Sequence, residues 1–241
     1  MFHECPPAER TAAALGGEDN SMRMIGGKTE PSRRDLLRAA GPALLGLGIA
    51  RLGLAATLPA TPAQTAGPFY PKTLPLDSDN DLVRVTGHAK QASGVVTHVL
   101  GRVLDVTGKP LSNARLEIWQ CDSRGHYHYV DDRPSPLLDA DFQGYGRTIS
   151  AEDGSYRFRT IRPVRYPGRT PHIHFAVAAP SGGHLITQMY VAGEPLNEND
   201  PVLAQIRDPT ERARVIVPLT PAPQIETDAL VAAFDIVVGR A

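Results

Sequence analysis

Asp153-Gly154-Ser155-Tyr156-Arg157-Phe158-Arg159-Thr160 decides the fold class. Asp-Gly is a turn signal, and the residues after it alternate aromatic with basic. Successive side chains of a strand point to opposite faces, so Tyr156 and Phe158 belong to a core while Arg157 and Arg159 face away. Upstream, Val95 to Val106 alternates in the same way and ends at the turn Thr107-Gly108-Lys109-Pro110. Ala114 to Cys121 is apolar, contains the single tryptophan, Trp119, and runs into a turn at Asp122 to Gly125. Residues 131–146 hold Pro134, Pro136 and two glycines and read as a long loop. Downstream, Pro171 to Val177 and His184 to Val191 flank Gly182-Gly183, a hairpin pattern. Asp200 to Arg207 is expected to form a short helix, and strands at Arg212 to Val217 and Leu230 to Val238 close the chain. Short strands at this spacing predict an all-β protein, an antiparallel β-sandwich with long loops and little helix. No period of 20–50 residues repeats, which excludes a solenoid or propeller.

The composition agrees. The chain has 241 residues, 41% hydrophobic and 21% charged, with 22 glycines and 22 prolines. Those values suit a loop-rich β domain. A formal net charge of -1 leaves no basic footprint for nucleic acid and none for an anionic membrane surface. Of the two cysteines, Cys5 lies in a segment expected to be removed. Cys121 is then alone, without an intrachain disulfide, and reads as a small buried residue at a strand end.

Ser32-Arg33-Arg34-Asp35-Leu36-Leu37-Arg38 precedes a moderately apolar stretch, Ala39 to Ala50. This looks like a twin-arginine export signal. The stretch is too short and too interrupted by glycine to span a bilayer. Ala55, Ala56, Ala60 and Ala63 supply small residues for cleavage. The reading divides the chain into an N-terminal extension with its signal, 1–60, and a folded domain, 61–241. It implies the twin-arginine machinery as a partner, an exported location, and no membrane attachment in the mature form. That route carries proteins already folded, often around a cofactor.

Candidate chemistry gathers in Tyr166-Pro-Gly-Arg169-Thr-Pro-His172-Ile-His174. His172 and His174 share one face of a strand, which makes half of a metal site; zinc, iron and copper all accept imidazole. Tyr166 lies across a Pro-Gly loop that can fold its ends together. A phenol titrates near ~10, so holding it as phenolate at neutral pH takes a hard trivalent ion such as ferric iron. A second set, Gly125-His126-Tyr127-His128-Tyr129, follows the Trp119 strand.

Three stretches carry a family resemblance: Gly101 to Tyr127, Asp153 to Pro163, and Arg169 to Phe175. Together they resemble the core of the intradiol ring-cleavage dioxygenases, and Thr65-Ala-Gly-Pro68-Phe-Tyr70-Pro looks like that family's opening segment. The likeness runs from about Thr65 to the C-terminus. It implies a non-haem Fe(3+) held by Tyr127, Tyr166, His172 and His174. Tyr166 and His174 would be axial, and Tyr127 and His172 equatorial. It implies O2 and a catechol-type substrate, cleaved between its two hydroxyl-bearing carbons to a muconate-type diacid, with Tyr166 displaced as the catechol binds. Arg169 matches the family's active-site arginine and stabilises charge on the ring. Gln188 matches its pocket glutamine. Tyr70 is expected to have a wall or packing role at the substrate pocket rather than a catalytic one. His126 and His128 are neighbours, and Tyr129 replaces Tyr127 if the local register slips by two.

Two departures bear on the site. Five residues separate Tyr166 from His172, fewer than in cytoplasmic members, which implies a more open pocket. The stretch between the expected signal and Val95 also leaves no room for the helical dimerisation domain of catechol-type members. A homo-oligomer remains compatible with the sequence. Catechol, protocatechuate, hydroxyquinol and substituted catechols all stay open as substrates. Two other classes are compatible with parts of the pattern. One is a non-catalytic transthyretin-like β-sandwich, which shares the Gly101 to Ala114 signature but has no use for four ligand candidates. The other is a zinc hydrolase, which lacks a third histidine or carboxylate at useful spacing.

Overall fold

The computed structural model describes residues 57–128 and 136–239. The twin-arginine stretch and Tyr129 lie outside the described residues.

Two five-stranded sheets face each other. The first is built on β1 (Val96–Asp105), paired antiparallel along one edge with β4 (Ser155–Ile161). Along its other edge run β9 (Leu230–Ala233) and β10 (Ile236–Val238), both parallel to β1, and β8 (Thr220–Pro221) pairs with β9. The second sheet has the order β3-β2-β5-β6-β7. Its strands are β2 (Arg115–Trp119), β3 (Tyr145–Ile149), β5 (His172–Ala178), β6 (His184–Val191) and β7 (Ile216–Val217). β7 runs parallel to β6 and the other pairs are antiparallel. Among the described residues, helix is confined to 3₁₀ turns at Pro195–Asn199 and Leu203–Gln205 and to α1 (Pro209–Ala213).

The all-β sandwich expected from the alternating strands is what forms. The period-two pattern sorts side chains as predicted: Val99, Val103, Tyr156 and Phe158 of the first sheet meet Leu116, Ile118, Ile173, Phe175 and Met189 of the second in one apolar layer. Burying each such side chain is worth roughly 1.5–3 kcal/mol. Five expectations need correction. The sheets are mixed, because β9 and β10 lie parallel to β1. Leu230 to Val238 is one ribbon broken at Phe234-Asp235, where Phe234 N donates to Leu100 O (2.8 Å) and Arg102 N donates to the Asp235 carboxylate (2.8 Å). The loop expected over 131–146 gives way at Tyr145 to β3, a strand the sequence reading left out. The helix expected at Asp200 to Arg207 shrinks to one 3₁₀ turn, and Arg212 and Ala213 belong to α1 rather than to a strand.

β1 meets the broken ribbon closely. A Cβ on Gly101 would stand 2.0 Å from Phe234 O, so this strand position admits only glycine. The N-terminal residues 57–70 act as a strap. Leu58 N donates to Val106 O (2.7 Å), Thr61 N to Val237 O (2.9 Å) and Gln64 N to Ile186 O (2.8 Å). The strap thus crosses from the first sheet to the outer face of the second.

Candidate metal centre

The outer face of the second sheet carries the polar residues. Register places Trp119 opposite His174, His174 opposite Gln188, and His172 opposite Tyr190. Their neighbours Ile173, Phe175 and Met189 point the other way, into the core. His172 and His174 are each 1% exposed.

His172 Nδ1 lies 2.6 Å from Thr170 O. A carbonyl can only accept, so Nδ1 carries the proton and Nε2 keeps its lone pair. That Nε2 stands 3.2 Å from Nε2 of His174. His174 is stacked on Trp119, ring centroids 4.8 Å apart, and its Nδ1 is buried without a hydrogen-bond partner. Burial, then the Arg169 charge, holds the His172 pKa down at about 4. Burial, then His172 and Arg169, holds His174 well below its ordinary value. Both imidazoles are therefore neutral at pH 7 and free to donate lone pairs.

Two loops bring in the tyrosines. Asp122 shapes the first: its Oδ1 accepts from Arg124 N (2.9 Å) and His126 N (3.0 Å), and its Oδ2 from Asp139 N (3.0 Å). Gly125, at φ +87°, turns this loop against the second; a Cβ there would sit 3.0 Å from Arg165 O and 3.5 Å from Tyr166 Cβ. In the second loop Arg169 N donates back to Tyr166 O (3.0 Å), closing Tyr166-Pro-Gly-Arg169 into a turn. The Tyr127 ring then lies 5.5 Å from Tyr166 and 6.3 Å from His174, and Tyr166 lies 5.6 Å from His172. Phe69 of the strap stacks on Tyr127 at 4.3 Å and meets Tyr166 edge-on at 5.7 Å.

The donor set can be tested against a metal on its own chemistry. Tyr127 Oη is buried with no partner of hydrogen-bonding geometry, although Tyr166 is near enough to affect it. Burial, then Cys121 and Tyr166, pushes the Tyr127 phenol well above its ordinary pKa. Burial also raises Tyr166, and Arg169 opposes that rise. Two neutral imidazoles with lone pairs and an orphaned phenol are satisfied together by a hard cation strong enough to hold phenolate. Among the described residues no group of three His, Cys, Asp or Glu could hold a metal, so the pair is completed only by tyrosine oxygens. These residues fit ferric iron, and they do not make a zinc site.

Arg169 organises the flank. Nη1 donates to Tyr166 Oη (3.3 Å), Nη2 to Gln188 Oε1 (2.6 Å), and Nε to Asp200 Oδ2 (2.8 Å). Burial works against the guanidinium charge, but Asp200 more than offsets it and raises the Arg169 pKa. Gln188 Nε2 donates to Thr65 O of the strap (3.0 Å), and Tyr190 Oη donates to Gln188 Oε1 (3.0 Å). A cleft of about 430 Å³ opens beside Tyr166 and Arg169, between Pro167 and Leu196.

The predicted residues Tyr127, Tyr166, His172, His174, Arg169 and Gln188 thus meet in one place. Tyr70 is set one layer back. It packs edge-on against Trp119 at 5.0 Å and its hydroxyl donates to Glu117 Oε2 (2.7 Å), a packing position that does not line the cleft beside Tyr166 and Arg169. His128 packs on Phe142 and His126 lies by Asp122, away from the pair. Cys121 is buried beside Trp119 and Tyr127, as expected of a strand-end cysteine, and burial pushes its thiol up to about 12. Sequence reasoning missed Phe69, Tyr190 and Asp200. Tyr190 had a signal, two residues after Gln188 on the same face.

Comparison with known proteins agrees with this geometry. Residues 65–239 match a family model described as Dioxygenase. The chain is 39% identical over 169 residues to the protocatechuate 3,4-dioxygenase beta chain of Burkholderia cepacia, covering 66% of this chain and 71% of that one. It is 34% identical to catechol 1,2-dioxygenase of Candida albicans, covering 60% of this chain and 51% of the other. The chain therefore spans about half the length of that relative. Among solved structures, the dioxygenase domain of a dioxygenase–carbohydrate-binding protein fusion from Streptomyces sp. SirexAA-E aligns with 31% identity and a TM-score of 0.58, over 76% of this chain and all of that one. Catechol 1,2-dioxygenase from Acinetobacter sp. ADP1 aligns with 28% identity and a TM-score of 0.59, over 75% of this chain and 63% of that one.

Proposed function

This chain belongs to the intradiol ring-cleavage dioxygenase family, and we propose that it cleaves catechol-type rings between the two hydroxyl-bearing carbons. Both atoms of O2 end in a muconate-type diacid, so the reaction balances without another reductant. The observation that carries the reading is the meeting of two neutral imidazoles 3.2 Å apart at Nε2 with two tyrosines from separate loops. Tyr127, Tyr166, His172 and His174 are the residues that would hold a non-haem ferric ion. An ion held by these residues would supply the charge that makes a catechol ring reactive toward O2 and Lewis acidity for the hydrolytic step.

The chain's own residues do the rest. Tyr166 Oη, which such an ion would hold as phenolate, would be the base that takes the proton of an incoming catechol hydroxyl and leaves as the neutral phenol. Arg169 Nη1, 3.3 Å from that oxygen, keeps positive charge beside the ring, and Gln188 Oε1 fixes the other arm of the fork. His172 and His174 stay neutral; His172 keeps its one proton on Nδ1, toward Thr170 O, and leaves its Nε2 lone pair free. Phe69 of the strap covers the Tyr127 ring and meets Tyr166 edge-on.

The paired arginines at 33 and 34 support export of the folded domain through the twin-arginine route. Replacing both by lysine should leave the protein in the cytoplasm. For the enzyme itself, the purified protein should be red-brown from ferric tyrosinate. It should take up O2 with members of a panel of catechols and yield ring-opened diacids. A colourless iron-free protein, or an aldehyde product, would reject the assignment.

A further inference from the structure

Asp200 is 2% exposed and stands 31 residues from Arg169, yet both of its oxygens are fully used. Oδ1 accepts from Val202 N (3.0 Å) and Leu203 N (2.9 Å), which locks the carboxylate into the turn that opens the Leu203–Gln205 helix. Oδ2 accepts from Arg169 Nε (2.8 Å) and Thr170 N (2.9 Å). Four donors fill the four lone-pair directions of a carboxylate, so Asp200 has nothing left to offer a substrate.

Its two bonds through Oδ2 hold consecutive residues with different duties. Arg169, anchored at Nε, has Nη1 left for Tyr166 and Nη2 left for Gln188. Thr170, anchored at N, presents its carbonyl to His172 Nδ1 at 2.6 Å. Thr170 is fixed a second time by its hydroxyl, which donates to Asn197 Oδ1 (2.7 Å), and Asn197 Nδ2 donates to Val191 O (2.8 Å). Arg169 has a second partner in Gln188 Oε1 (2.6 Å), but that bond holds one arm of the fork and not its root at Nε. The 430 Å³ cleft on whose wall Arg169 lies gives the side chain room to turn once Nε is released.

We propose that Asp200 is the positioning residue of this site: its carboxylate holds the Arg169 fork so that one arm faces Tyr166 Oη and the other Gln188 Oε1. This deepens the dioxygenase reading and, for its kinetic consequence, rests on it.

The test is a double-mutant cycle on the full chain loaded with iron: wild type, Asp200→Asn, Arg169→Ala and the double variant. Two quantities are read, the kcat and KM for catechol and the visible absorption band of the substrate-free protein. Asp200→Asn should lower kcat about 100-fold, the usual size of losing one preorganised electrostatic contact, with KM changing about threefold or less. It should also shift the visible band, because the group facing Tyr166 moves. In the Arg169→Ala background the same substitution should change kcat by no more than about threefold and leave the band in place. Equal losses in both backgrounds, or wild-type kcat and band from folded Asp200→Asn, would overturn the proposal. If Asp200→Asn is not recovered folded, Asp200→Glu takes its place in the cycle. If neither folds, the carboxylate is a folding determinant and the proposal fails. A wild type that shows the band but cleaves no catechol sinks the dioxygenase reading, while the band comparison still decides the role of Asp200.

Discussion

His174 lies flat on Trp119, ring centroids 4.8 Å apart and planes 7° from parallel. The two residues face each other across the β2–β5 pair, so the contact is built by register. His172 is oriented by a hydrogen bond to a carbonyl, whereas His174 Nδ1 has no partner, and its ring is oriented by this stack. Outer contacts of ligand histidines typically govern metal affinity by tenfold to a hundredfold. Trp119→Leu should therefore weaken iron binding at least about tenfold while leaving the fold in place. Trp119→Phe, which keeps an aromatic face, should lose less. Titration of iron-free protein, followed by the visible band, measures both; unchanged affinity in Trp119→Leu would show that the stack does not orient the ligand.

Tyr166 and Tyr127 should behave differently on loss of the hydroxyl. Tyr127 is buried under Phe69, whereas Tyr166 is half-buried beside the cleft with Arg169 at its oxygen. Tyr166→Phe should keep iron bound, because three donors remain, but should slow catechol binding by removing the base that takes its proton. Stopped-flow mixing with catechol in the absence of O2 isolates that step. Wild-type turnover from Tyr166→Phe would refute the exchange role.

The histidine pair was legible because strand periodicity is local, whereas Tyr127, Arg169 and Gln188 were assigned through the family resemblance. His-x-His fixes two residues on one face whatever surrounds them, and Tyr166-Pro-Gly-Arg169 is a turn that the sequence itself announces. What was not legible depends on distant partners. Gly144 and Gly146 made the start of β3 read as the end of the 131–146 loop, yet Gly146 is a strand position where a Cβ would meet Leu82 Cδ1 at 2.4 Å and Asp79 O at 2.5 Å. The break at Phe234-Asp235 exists to fit β1, and nothing within Leu230 to Val238 encodes it. Asp200 carries no local mark of its role either, since its partner Arg169 is remote in sequence. Helix α1 was readable in hindsight: Asp208 caps it by accepting from Thr210 N (2.8 Å), and Pro209 occupies its first position.

Gly101 tests the junction of the first sheet. Its missing Cβ leaves space for Phe234 O, a backbone atom that cannot move without unpairing the ribbon beside β1. Gly101→Ala should cost at least about 3 kcal/mol, the upper range for overpacking a core. Urea unfolding of iron-free protein, compared with wild type, reads this directly. A loss under about 1 kcal/mol would mean the ribbon relaxes more easily than the contact implies.

The outer face of the first sheet predicts the acid limit of the fold. Arg159 Nη2 pairs with Glu226 Oε1 at 2.6 Å and its Nη1 with Asp81 Oδ1 at 2.9 Å, while buried His98 Nε2 stands 3.1 Å from Glu226 Oε2. These contacts tie the 81 and 226 loops to β1 and β4. The hydrogen bond from Arg159 is the largest influence holding the Glu226 pKa down at about 2. A depressed carboxylate adds stability above its unfolded pKa of ~4.3 and loses it as pH falls through that value toward 2. His98 acts in the same direction. Burial, then Arg157, lowers its pKa, so protonation favours the unfolded chain as pH drops below ~6.5. Unfolding midpoints of wild type should fall between pH 6.5 and 2. Glu226→Gln should start lower at neutral pH and lose its steepest part between about pH 4.5 and 2, keeping the shallower His98 portion. Parallel curves for the two proteins across that window would remove Glu226 as the source of the acid sensitivity.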